Sequence, residues 1–109
     1  MPRFAMLTRI GLEFHDEREQ YRVLSQQLTD AIEQEGLEVA WVANYVIEGP
    51  HDFLDVFEVA DEQTARRVAE LARQVGHAET HLWPVVEWNA FKQGEGKERS
   101  EVSGSRSGL

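Results

Sequence analysis

The chain has 109 residues, 20 of them acidic and 11 basic, a net charge of −9 and no cysteine. The length suits one compact domain rather than two. The charge argues against partners that present phosphate backbones or an anionic membrane surface, and the cysteine count excludes disulfides and thiolate metal sites.

The opening, MPRFAMLTRI, has neither a long apolar run nor a small-residue cleavage site, so no signal peptide is expected. No stretch approaches the roughly 20 apolar residues of a membrane helix. The expectation is a cytoplasmic protein, and no motif implies a cofactor. Residues 3–10 mix apolar and β-branched side chains and read as a first strand. GLEFHDE follows as a loop. From about Glu17 to Glu35 the period changes. Tyr21, Leu24, Leu28, Ala31 and Ile32 fall at helical spacing, with Asp16 as the N-cap and Gly36 as a left-handed C-cap. The acidic Glu33 and Glu35 oppose the dipole of that helix end, and nothing nearby in sequence accounts for them.

LEVAWVANYVI, residues 37–47, is the strongest strand pattern in the chain. Gly49 and Pro50 supply turn chemistry. FLDVFEVA, residues 53–60, returns as a paired strand. Asp61 is placed to cap a second helix over 62–75, with an apolar stripe of Ala65, Val68, Ala69, Ala72 and Val75. Gly76 is expected to end it.

His77, Glu79 and His81 come next, in GHAETHLWPVVEW. On a helix the two histidines would share a face and could grip a metal. Pro84 and the β-branched and aromatic residues make this segment a strand instead, at a sheet edge where proline is tolerated. Four strand residues span roughly 13 Å, and Ala78 stands where the metalloprotease helix motif needs Glu. After Lys92 the chain turns to glycine, serine and charge. Residues 1–92 are therefore expected to form the domain, and residues 93–109 a disordered tail.

The order β-α-β-β-α-β predicts an α+β, ferredoxin-like fold: a four-stranded antiparallel sheet with two helices on one face, strands one and three central. Strict alternation puts Val39, Trp41, Ala43, Tyr45 and Ile47 on one face of the second strand, and Ala40, Val42, Asn44 and Val46 on the other. In the fourth strand it puts Leu82, Val86 and Trp88 opposite Trp83 and Val85. Both faces are largely apolar, so the face without helices is expected to be covered. The simplest cover is a second copy of the same sheet, giving a twofold homodimer.

GPHDFLDVFEVADEQTA and GHAETHLWPVVEWNAFK resemble the GYD domain family of small bacterial proteins. The family's Gly-x-Tyr-Asp hairpin corresponds to Gly49, Pro50, His51 and Asp52, with His51 in the place of the tyrosine. Its Gly-x-x-x-Thr-Glu signature is matched by Gly76 and Thr80, with His81 where an acid is common. Its ending is matched by Trp83, Pro84, Trp88, Phe91 and Lys92. The resemblance covers roughly residues 3–92. It implies kinship with dimeric α/β-barrel proteins, some of which are oxygenases or heme-handling enzymes, and it implies no particular activity here.

Connectivity carries His15, His51, His77 and His81 to one end of the sheet, with Asp16, Asp52 and Glu79. His51, His81 and Asp52 are the candidates for proton transfer. His51, His77, His81 and Glu79 are the candidates for a divalent metal. Against both stands an ordinary reading, in which loops are polar and Asp52 serves its own turn. A second candidate site is a cavity between helices and sheet, lined by Trp41, Tyr45, Trp83 and Trp88; the ordinary alternative is core or interface. Three functions stay open. One is a homodimeric binding or interaction module with a small-molecule pocket. Another is a small monooxygenase- or isomerase-like enzyme acting on an apolar or aromatic metabolite. The third is a metal-binding protein.

Overall fold

The computed structural model describes residues 1–11 and 16–97. The elements are β1 (Arg3–Arg9), α1 (Glu17–Gln34), β2 (Ala40–Val46), β3 (Phe53–Glu58), α2 (Glu62–Gly76), β4 (Glu79–Val85) and a short α3 (Trp88–Lys92). All strand pairs are antiparallel and the sheet order is β2-β3-β1-β4. The α+β, ferredoxin-like arrangement expected from the element order is therefore the one formed, with both long helices on one face.

Both long helices start on an aspartate. Asp16 accepts from the Glu19 amide at 3.2 Å, and Asp61 accepts from the Thr64 amide at 2.8 Å. Each satisfies a donor that the first helical turn leaves free. Helix α1 exits through Gly36 at φ 69°. Helix α2 exits one residue later than its sequence suggests: Gly76 is still helical, and His77 takes the left-handed conformation at φ 49°. Gly76 is buried beside Ile10, and the amides of His77 and Ala78 both return to the Arg73 carbonyl.

The core lies between sheet and helices. Phe4, Met6 and Phe57 meet Ala65, Val68, Ala69, Leu71 and Ala72 of α2 and Ile32 of α1. Helix α2 lies on β1 and β4. Helix α1 lies on α2, and its backbone keeps its distance from every strand. One of the two acids at the end of α1, Glu35, has its explanation here. Arg67 of α2 grips Glu35, donating from Nε to Oε1 at 2.6 Å and from Nη2 to Oε2, and also reaches Glu70. Hydrogen bonding to Arg67 holds the Glu35 carboxyl below its ordinary range. A bidentate ion pair between helices thus takes up charge that the dipole would disfavour.

Two expectations about the sheet need correction. Residues 86–88 do not extend β4. Its ladder with β1 ends at Arg3↔Val85; before Arg3 stands Pro2, which has no amide to donate and whose carbonyl accepts from Val59. The chain instead turns at Glu87, which caps α3 by accepting from the Asn89 and Ala90 amides, so Trp88 stands on a helix. Nor does β2 alternate strictly. Trp41 pairs with Phe57 and Ala43 with Val56, leaving Val42 as an extra residue in a β-bulge. Trp41 therefore shares the helix-side face with Phe57, their ring centroids 5.5 Å apart, while Ala43 and Tyr45 share the opposite face with Val56 and Leu54.

Past Lys92, residues 93–97 continue as a turn on α3, with the Gly94 and Glu95 amides bonded back to Phe91 and Ala90. The remainder of the expected tail, 98–109, lies outside the described residues.

Candidate functional site

The bulge divides the aromatic candidates between two surfaces. On the helix side, α1 is bridged to the sheet by side chains alone, and the gap beneath it is a cavity of about 260 Å³. Leu24, Ser25, Leu28 and Thr29 form its roof, and Met6, Thr8, Trp41, Asn44, Phe53 and Asp55 form its floor. Of the four aromatics expected to line such a cavity, Trp41 does so. Tyr45 and Trp83 point to the other face because of the bulge and the β4 register, and Trp88 lies on α3.

The polar floor of the cavity has an unusual member. Asp55 sits between Phe53 and Phe57 on the core side of β3, opposite Met6 of β1 and Asn44 of β2. The Asn44 amide donates to one carboxylate oxygen at 2.7 Å. Burial pushes the Asp55 carboxyl above its ordinary range, and the hydrogen bond from Asn44 opposes that shift in part. Among the described residues no Lys, Arg or His lines the cavity.

The second surface is the face without helices. Ala5 and Leu7 of β1, Leu54 and Val56 of β3, Ala43 and Tyr45 of β2 and Trp83 of β4 share it by register. Tyr45 is 58 % exposed and Trp83 49 %. At one end of this face Arg3 and Glu58 neutralise each other, Nη2 to Oε2 at 2.8 Å. At the other end lie two of the histidines. The His51 and His81 rings have centroids 6.3 Å apart, and His81 stacks on Trp83 at 5.9 Å.

A family model for the GYD domain matches residues 16–94. The chain belongs to the GYD domain family. None of the curated proteins compared with it matches. The GYD motif hairpin joins β2 to β3 at the sheet end where β1 finishes, since Thr8 pairs with Phe53.

Within this GYD domain the remaining candidates separate. Both carboxylate oxygens of Asp52 are engaged: Oδ2 accepts the Ile10 amide at 2.6 Å, and Oδ1 accepts the Tyr21 hydroxyl. Its own amide donates to the Thr8 carbonyl at 2.8 Å. Asp52 thus ties hairpin, β1 and α1 together. His77 is the exposed cap of α2, and Glu79 opens β4 opposite Arg9. Among the described residues no three His, Asp or Glu side chains come together as a metal site. His15 lies outside the described residues.

Asp55 stands outside the candidates drawn from the sequence, although its signal is present there. FLDVFE places one acid between apolar residues of a strand. Its two-residue spacing from both Phe53 and Phe57 puts it on the core side. Among the described residues no helix is long and apolar enough to cross a membrane.

Proposed function

We propose that this GYD domain is a binding module that pairs with a second copy of itself through the helix-free face and holds a small molecule in the cavity on the other side. The single observation that carries the pairing is the apolar strip from Tyr45 through Leu54 and Leu7 to the His81–Trp83 edge. Contiguous apolar surface of this kind marks interaction sites in soluble proteins. A second copy fits because the charges at one edge, Arg3 and Glu58, are already paired within the chain. Two such faces therefore meet without bringing the chain's excess negative charge into the contact. Tyr45 and Trp83 flank the strip as aromatic anchors of the type that dominates interface energetics.

Light scattering and sedimentation test the pairing. The wild-type protein is expected to run as a dimer at micromolar concentration, and Trp83→Glu as a monomer with unchanged far-UV circular dichroism. A monomeric wild type would refute it. A thermal-shift screen tests the cavity, because a ligand that binds the native state raises the melting temperature.

The approach of His51 to His81 favours a second reading, an enzyme with one imidazole as proton carrier. At least one of His51→Ala and His81→Ala should then abolish turnover of an apolar or aromatic substrate without moving the melting temperature. Unchanged turnover in both would remove it.

A further inference from the structure

We propose that Asp55 anchors the ligand of the cavity beneath α1, and that this ligand is an apolar, ring-bearing molecule whose polar end is a hydrogen-bond donor, an amine or a hydroxyl. The anchor presupposes that the cavity is a binding site, and the experiment below separates the two.

The walls decide the body of the ligand. Leu24 and Leu28 from the roof and Trp41 and Phe53 from the floor surround a space of about 260 Å³, larger than the cavities of about 150 Å³ that hold benzene. The floor decides its polar end. Among the described residues one donor bonds Asp55, Asn44 at 2.7 Å, while a carboxylate has about four acceptor sites. Among the described residues no cation faces it, so a ligand donor meets an acceptor with spare capacity in surroundings of reduced dielectric, where such a bond is strong.

The fold itself gains little from an acid here. A carboxylate partly withdrawn from water without a counter-charge costs some stability, and an apolar residue between Phe53 and Phe57 would continue the core. Residues that disfavour folding and remain in a cavity are candidates for function. The competing account is that Asp55 serves only to pair β3 with Asn44 of β2. That account predicts no effect on ligand selectivity.

Calorimetry with three matched probes, naphthylmethylamine, naphthylmethanol and naphthoate, distinguishes these. The wild-type protein is expected to bind the amine and the alcohol on the order of tenfold tighter than naphthoate, which brings a second acceptor to Asp55. Asp55→Asn should weaken the amine on the order of tenfold and erase its advantage over naphthoate. Leu28→Trp, which fills the cavity, should weaken all three. An unchanged amine-to-naphthoate ratio in Asp55→Asn overturns the anchor and leaves the cavity as a binding site. Failure of every probe to bind the wild type, or binding that Leu28→Trp does not affect, overturns both. If Leu28→Trp does not fold, the carboxyl carbon resonance of Asp55 in the wild-type protein decides: it should move on addition of the amine, and a fixed resonance overturns the anchor.

Discussion

The hydroxyl of Tyr21 donates to Asp52, whose other carboxylate oxygen holds the Ile10 amide at 2.6 Å. One side chain of the motif hairpin thereby fastens α1 to the end of β1, and the Tyr21 ring packs on Phe53 with centroids 4.6 Å apart. Tyr21→Phe keeps the ring and removes the donor. Its expected cost in a urea titration is about 1.5–3 kcal/mol, the usual net value of a hydrogen bond to a charged group. No change in the midpoint would mean that the clamp contributes nothing.

The same pair has an alkaline signature. Burial, then the hydrogen bond and the negative charge of Asp52, push the Tyr21 phenol well above its ordinary value of 10.0. The folded chain therefore holds the phenol proton more tightly than the unfolded chain. The resulting stabilisation is complete below pH 10.0 and is lost as pH rises past it toward the folded-state value. Melting temperatures from neutral pH to pH 11 should fall more steeply for the wild type than for Tyr21→Phe. Parallel curves would contradict this.

Asp55 behaves in the same sense at the acid end. Burial raises its carboxyl above the ordinary 3.8, so the protonated form is favoured by folding. Its contribution is fully present below pH 3.8 and is lost as pH rises through the raised value. At neutral pH the ionised group is a burden, and Asp55→Asn, which can still accept from Asn44, is expected to melt higher than the wild type at pH 7. A lower melting temperature would show that the carboxylate serves the fold.

Gly11 sits where β1 leaves the sheet, and a β-carbon there would lie 2.4 Å from the His77 carbonyl oxygen. That atom belongs to the backbone and cannot rotate away. Gly11→Ala should cost on the order of 1–3 kcal/mol, in the range of overpacked sites, and chemical denaturation measures it. Gly49→Ala is the control, since its β-carbon would meet only Ile47 at an ordinary 3.6 Å.

Salt should separate the helix–helix tie from the core. Glu35, Arg67 and Glu70 are all at the surface to some degree, and exposed ion pairs are screened. In a double-mutant cycle, Glu35→Gln and Arg67→Gln should be coupled at low ionic strength and additive in 1 M sodium chloride, where the Debye length is about 3 Å. Coupling that survives high salt would assign the contact to packing.

The fold was legible because its signals are local. Asp16, Gly36 and Asp61 mark helix ends by side-chain and backbone chemistry that needs no partner, and the period of Leu24, Leu28 and Ile32 reports a single buried stripe. The site was less legible because it depends on register. That Val42 is an extra residue follows from how β2 meets β3, and strict alternation therefore puts Trp41 and Tyr45 on one face where the bulge separates them. The end of β4 is set by where β1 begins, which moves Trp88 off the sheet. The partner of Glu35 lies 32 residues away on another helix. The nearness of His51 to His81 could be anticipated from connectivity, whereas the engagement of both Asp52 oxygens could not.

A strand with a perfect two-residue rhythm has only one inside. The surplus Val42 gives β2 a change of step, so that seven residues furnish a wall for a chamber on one side and a flank for a broad plain on the other. Were Val42 to take a regular place in the ladder, Trp41 would come round to join Tyr45, widening the plain and breaching the chamber in one stroke.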